Sequence, residues 1–189
     1  RPAGRAGSEH LRAPLPGPGD CPDSVVGLAA RIGDAALQRR FVEAATRAGT
    51  PQEQRRFLLA LGAFRDPRLV DRSLALSLTD AVATQDVIFL LARLLANPAA
   101  RERTWAFVQR RWQRLRKRMP SLLASRLVEA TWRLLTPAHR REVARFFREH
   151  PVPSGERALR QSLERFDWYR GFRRDAAREL EVWLDLQTR

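Results

Sequence analysis

Apolar side chains recur along this chain every three to four residues, and no stretch alternates at every second position, so the pattern predicts helices and no strands. The clearest stretch runs from Thr84 to Met119. Over Gln85–Ala96 the chain is apolar nearly all the way round: Val87, Ile88, Phe89, Leu90, Leu91, Leu94 and Leu95 are interrupted only by Gln85, Asp86 and Arg93. A helix without a polar face must be covered on several sides, so its neighbours in sequence are expected to pack around it. After the break at Asn97-Pro98, a second helix carries a narrow stripe of Trp105, Val108, Trp112, Leu115 and Met119. Nearly opposite that stripe stand Arg103, Arg110, Arg114 and Lys117. One face is thus expected to bury two tryptophans while the other is a row of cations.

Other elements follow from caps and breakers. Residues 1–20 hold four prolines and four glycines, too many for any periodic element; residues 1–22 read as a linker or irregular segment and 23–189 as the helical domain. A short helix ends at Gly33, and Asp34 caps the next, with Leu37, Phe41, Ala44 and Ala48 facing inward. Gly49 is placed as a C-cap glycine. Thr50-Pro51-Gln52-Glu53 is a strong restart, leading to Phe57, Leu58 and Leu61. Asp66-Pro67 opens a helix carrying Leu69, Val70 and Leu74, and Ser77–Thr84 is a polar break. Pro120-Ser121 and Thr136-Pro137 open two more. The first buries Leu123, Leu127, Ala130 and Leu134 beside Trp132, and the second Val143, Phe146 and Phe147. Beyond the rigid Pro151–Pro153 segment a long helical pattern carries Leu159, Leu163 and Phe166, then Leu180, Trp183 and Leu184, with a bend or break expected at Gly171. Four of the five tryptophans, Trp105, Trp112, Trp132 and Trp183, read as core. The result is an all-α chain of about nine or ten helices. Related starts at Thr50, Thr84 and Thr136 space helix pairs by ~35 residues, which suggests a HEAT-like superhelix of αα-hairpins, an α-solenoid.

Composition narrows the function classes. The chain has 189 residues, 44% hydrophobic and 30% charged, enough for a sizeable core. No apolar run reaches the roughly 18 residues of a membrane span and no signal peptide is visible, so the expected setting is cytoplasmic with no membrane partner. The single cysteine, Cys21, excludes an internal disulfide and a cysteine-based metal cluster. A net charge of +14 invites nucleic acid as a partner. All but one of the 35 basic residues are arginine, however, the exception being Lys117. That imbalance looks like GC-rich coding, and charge runs are mostly solvated faces, so nucleic acid is an unlikely partner.

Catalytic chemistry is missing from the sequence. His10, His139 and His150 form no HExxH pair, and no carboxylate stands at ligand spacing with two of them. There is no nucleophile elbow, phosphate loop or dinucleotide fingerprint. Gln85 and Asp86 open a helix, where a carboxylate suits the free amides; capping and a peptide-facing role are both open to them. The row Arg103, Arg110, Arg114 and Lys117 is either a solvated face, a wall that meets a carboxylate through bidentate hydrogen bonds, or a phosphate contact.

The order of landmarks resembles a known family. TQD at 84–86 is followed by WAFVQRRW at 105–112, EVARFF at 142–147, ALRQSLERFDWYRGF at 158–172 and EVWL at 181–184. This is similar to the C-terminal helical domain of the zinc aminopeptidases that include aminopeptidase N and the endoplasmic-reticulum aminopeptidases, and TPQEQRRFLLALGAFRDPRLVDRSLALSL at 50–78 looks like the preceding repeat. The resemblance covers about Gly33 to Leu184. It implies a superhelix, itself non-catalytic, that closes over a separate catalytic domain of the same or another chain, walls the substrate chamber and binds the distal part of a peptide. It implies no cofactor here and zinc in the absent catalytic domain, whose HExxH and GAMEN-type motifs do not occur in this sequence. Gln85, Asp86, Arg103, Arg110, Arg114 and Lys117 are then the candidate peptide-binding residues. A stand-alone helical-repeat module for a protein or peptide and a basic nucleic-acid-binding repeat are the alternatives.

Overall fold

The computed structural model describes residues 23–120, 123–153 and 155–187. Among these the chain forms nine α-helices and no strand, as the hydrophobic period requires: α1 Asp23–Ile32, α2 Ala35–Arg47, α3 Pro51–Ala60, α4 Pro67–Leu76, α5 Val87–Ala96, α6 Arg101–Arg118, α7 Ala124–Ala130, α8 Pro137–Glu149 and α9 Gly155–Gln187. Turns of 3-10 helix extend α3 over Leu61–Ala63 and α7 over Thr131–Leu134. The linker expected over residues 1–22, with His10 and Cys21, and the helix openers Ser121 and Ser154 lie outside the described residues.

The helix starts follow the cap chemistry. Asp34 Oδ1 accepts from the Leu37 amide at 2.9 Å, Thr50 Oγ1 from Glu53 at 3.2 Å, Asp66 Oδ1 from Arg68 at 2.7 Å and Thr136 Oγ1 from His139 at 3.1 Å. Each fills one amide that a helix leaves without an internal partner. Three of these helices carry proline in the first turn, where its missing N–H costs nothing.

The helices stack in two layers. α1, α3, α5, α7 and α9 each lie against the next, while α2, α4, α6 and α8 cover them from one side. α5 is the centre: Val87, Ile88, Leu90, Leu91, Leu94 and Leu95 are all fully buried, because α3, α6 and α7 enclose it. The stripe on α6 is buried throughout. Trp105 and Trp112 both pack on Phe146 and Phe147 of α8, with Trp112 edge-to-face at 5.4 and 5.7 Å.

The structure departs from the sequence reading at four places. Gly49 is no left-handed cap; α2 ends at Ala48 with extended backbone. The Gly49 amide instead donates to Glu53 Oε2 at 3.2 Å, so the start of α3 takes the donor that a Schellman bond would need. The left-handed residue is Leu135, with φ 67°. α9 runs unbroken through Gly171, since one glycine costs about 1 kcal/mol against a run of good helix formers. Trp183 is 56% exposed, and Leu180 and Leu184 are exposed with it, because the second half of α9 extends past the layers that bury Ser162 and Phe166.

Candidate functional site

α6 places the candidate cations as its stripe dictates. With Trp105, Trp112 and Leu115 turned inward, Arg110, Arg114 and Lys117 are exposed. Arg110 and Arg114, together with Gln109, Gln113 and His150, rim a hollow of about 160 Å³. Arg103 is engaged elsewhere, with Nη1 3.0 Å from Asp71 Oδ2 on α4. Three further side chains tie this helix down. Trp105 Nε1 and Gln109 Nε2 donate to the two carboxylate oxygens of Glu142 at 3.0 and 2.9 Å. Arg118 donates to the carbonyls of Thr79 and Val82 at 2.8 and 2.9 Å, which fastens the connector before α5.

Gln85 and Asp86 sit at the start of α5, on the other layer. Gln85 is exposed. Asp86 is only 7% exposed and accepts no amide of its own helix. Its backbone is helical, with φ −90° and ψ −16°, whereas a capping side chain needs an extended one. The carboxylate turns to α3 instead, 3.3 Å from Arg55 Nε. The same guanidinium lies over the Phe89 ring at 4.1 Å. The six candidate residues therefore fall on two layers, and two of them, Asp86 and Arg103, are engaged in ion pairs.

A larger hollow, of about 600 Å³, opens where α1, α3 and α5 meet. Arg31, Arg55, Arg56 and Arg93 line it, with Gln52 and Asn97. Its floor is rigid for a local reason. Asn97 Nδ2 donates to the carbonyls of Gly62 at 3.1 Å and Phe64 at 2.7 Å. A Cβ on Gly62 would stand 2.7 Å from the Cβ of Arg93, so only glycine lets α5 approach the turn at 61–63 this closely. Arg56 Nε meets Asp23 at 2.7 Å. Arg93 also belongs to a second cationic group. Burial, then the charges of Arg165, Arg101 and Arg93, hold the Arg133 guanidinium below the usual arginine range. Arg133 stacks over Trp132 at 4.8 Å, and the Nε of Arg101 is buried without a hydrogen-bond partner among the described residues.

Sequence reasoning passed over this second set of arginines. Their signal was the recurrence of Arg55, Arg93 and Arg133 at nearly the helix-pair repeat, scattered among many other arginines.

Among the described residues no three His, Cys, Asp or Glu side chains come together as a metal site. His139 is held by Glu102 at 2.8 Å and by Thr136, a helix-start arrangement with no nucleophile beside it. No described helix is long and apolar enough to cross a membrane.

Comparison with known proteins agrees with this architecture. A family model described as "ERAP1-like C-terminal domain" matches residues 14–167. Aminopeptidase M1-B of Oryza sativa subsp. japonica is 36% identical over 142 residues, covering 74% of this chain and 16% of that protein. Aminopeptidase 2, mitochondrial, of Saccharomyces cerevisiae is 26% identical over 143 residues, with 74% and 15% covered. Aminopeptidase M1 of Arabidopsis thaliana is 31% identical over 116 residues, with 60% and 13% covered. The chain thus spans about a sixth of the length of the relatives it matches.

Proposed function

The chain belongs to the family of ERAP1-like C-terminal domains of the M1 aminopeptidases, and on that footing we propose that it walls the substrate chamber of a zinc aminopeptidase and holds the distal part of its peptide substrates. The observation that carries the reading is the match over residues 14–167 to a domain type that the relatives carry within much longer chains. Its partner is a catalytic domain, of the same or another chain, in which zinc polarises water for peptide hydrolysis. This chain supplies length selection and binding. Stacked helix pairs curving as a HEAT-like superhelix would give such a domain an extended inner wall.

Two surfaces compete to be that wall. The layer of α1, α3 and α5 offers a hollow of about 600 Å³, against about 160 Å³ beside Arg110 and Arg114. The larger one suits several residues of peptide, so we place the peptide along it, with Gln85 exposed at the edge of the same layer. On the α6 surface the competing role is capture of a free C-terminal carboxylate by Arg110 and Arg114.

The test is calorimetric titration of the purified chain with an unrelated ten-residue peptide and a tripeptide, together with the mass of the native polypeptide that an antibody to this chain detects. Binding of the longer peptide alone, and a native species several times larger than 21.7 kDa, are the expected results. A native species of only this mass would favour the stand-alone binding module, and absence of peptide binding would overturn the proposal.

A further inference from the structure

We propose that the arginines on the odd-numbered helices form a ladder that selects acidic peptides, reading carboxylate side chains spaced about three residues apart. This rests on the peptide-binding reading above and adds the class of substrate. The ladder runs from Arg31 on α1 through Arg55 and Arg56 on α3 and Arg93 on α5 to Arg133, in the turn after α7, and Arg165 on α9.

Two independent observations join its halves. Arg31, Arg55, Arg56 and Arg93 line one hollow. The turn that carries Arg133 packs against both α5, which carries Arg93, and α9, which carries Arg165, and the charges of both act on Arg133. Arg93 is common to both groups, so the cations are continuous across successive helices of one layer. Several of them lack a counter-charge. Among the described residues Arg31 and Arg93 enter no ion pair, and Arg101, beside the ladder, has a buried Nε with no partner. A surface that gathers like charges and leaves part of them uncompensated is suited to an anionic ligand that neutralises the remainder on arrival.

Geometry sets the spacing. Neighbouring helices in a layer pack about 8–10 Å apart, and an extended peptide advances about 3.3 Å per residue. One rung therefore corresponds to about every third residue. A peptide held in the polyproline II form, with three residues per turn and about 3.1 Å of rise per residue, presents a carboxylate to each rung from one side when acids stand at that interval. Asp23, Asp86 and Glu129 already occupy one side of Arg56, Arg55 and Arg165. These carboxylates would repel the closely spaced phosphates of a nucleic acid, about one per 3.4 Å of axis on each strand. A peptide with neutral residues between its acids passes them.

The experiment uses the purified chain and four probes at low salt. Three are acetylated, amidated ten-residue peptides: one with glutamates at positions three, six and nine, its glutamine twin, and one with the three glutamates consecutive. The fourth is a ten-nucleotide single-stranded DNA. The expected result is that the spaced-glutamate peptide binds about tenfold more tightly than either other peptide, since a few exposed charge contacts contribute only together. Arg31→Gln/Arg93→Gln, checked for unchanged helicity, should abolish the preference while retaining weak binding of the glutamine peptide. Equal binding of all three peptides would overturn the ladder and leave the peptide-binding reading standing. No binding of any peptide would overturn both. Tighter binding of the oligonucleotide than of the spaced peptide would overturn the ladder in favour of a phosphate-binding surface.

Discussion

Truncating Trp112 to alanine tests the packing of the whole second half of the chain. Trp112 is 4% exposed and wedged edge-to-face against Phe146 at 5.4 Å and Phe147 at 5.7 Å. A buried aromatic removes about 150–250 Å² from water, which at about 25 cal/mol/Å² corresponds to roughly 4–6 kcal/mol. Alanine retains part of that area, and the lost ring contacts and the cavity act the other way. The expected loss is about 3–5 kcal/mol. At about 2–4 °C per kcal/mol for a chain of this size, the midpoint of thermal unfolding should fall by roughly 6–20 °C. Urea unfolding followed by far-ultraviolet circular dichroism measures the free energy, and Trp183→Ala provides the control. Trp183 is 56% exposed, so its loss should change stability by about 0.5 kcal/mol or less. A Trp112→Ala change below about 1 kcal/mol would refute the packing of α6 on α8, and equal effects at both tryptophans would refute the assignment of the exposed end of α9.

Gly62→Ala should destabilise by about 1–3 kcal/mol, because the added methyl meets the Cβ of Arg93 at 2.7 Å; a neutral result in chemical denaturation would show that α5 can draw back. Asn97→Ala should cost about 1–3 kcal/mol by orphaning the carbonyls of Gly62 and Phe64, and a calorimetric scan with an unshifted midpoint would contradict this. Arg110→Ala/Arg114→Ala should leave folding unchanged, since both side chains are exposed. If these two hold a peptide's terminal carboxylate, the pair should also abolish any preference for a free-acid peptide over its amidated twin, and a wild-type chain that binds both twins equally would remove that role. Dialysis against zinc followed by elemental analysis should find no stoichiometric metal, as no three candidate ligands converge among the described residues; one bound zinc per chain would reverse that expectation.

The parts of this fold that were legible in the sequence are those written locally. Thr50, Asp66 and Thr136 announce helix starts because a cap needs only an oxygen three residues from a free amide. The all-apolar α5 announces its own central position, because no other arrangement covers every side of it. Gly49 and Gly171 misled for the same reason in reverse: the outcome at each depended on what neighbouring segments demanded. Gln38 is fully buried and donates to the Leu69 carbonyl and Ser73 Oγ at 2.8 and 3.0 Å, an inter-helix contact that no periodicity reveals. Of the candidate site, exposure of Arg110 and Arg114 follows from the stripe opposite them. The grouping of Arg31, Arg55, Arg56 and Arg93 does not, since it arises only when three helices separated in sequence lie side by side.

The exposed half of α9 sets a time scale for that end of the molecule. Among the described residues none beyond Phe166 is buried, so no core packing protects the backbone amides of that half. Most helical stability in a protein comes from packing of a buried face, which this half lacks. Its amides should therefore exchange with solvent deuterium at close to the rate of a free helical peptide, while those of α5 wait for the whole domain to open. The last turns would wind and unwind many times within one lifetime of the folded core.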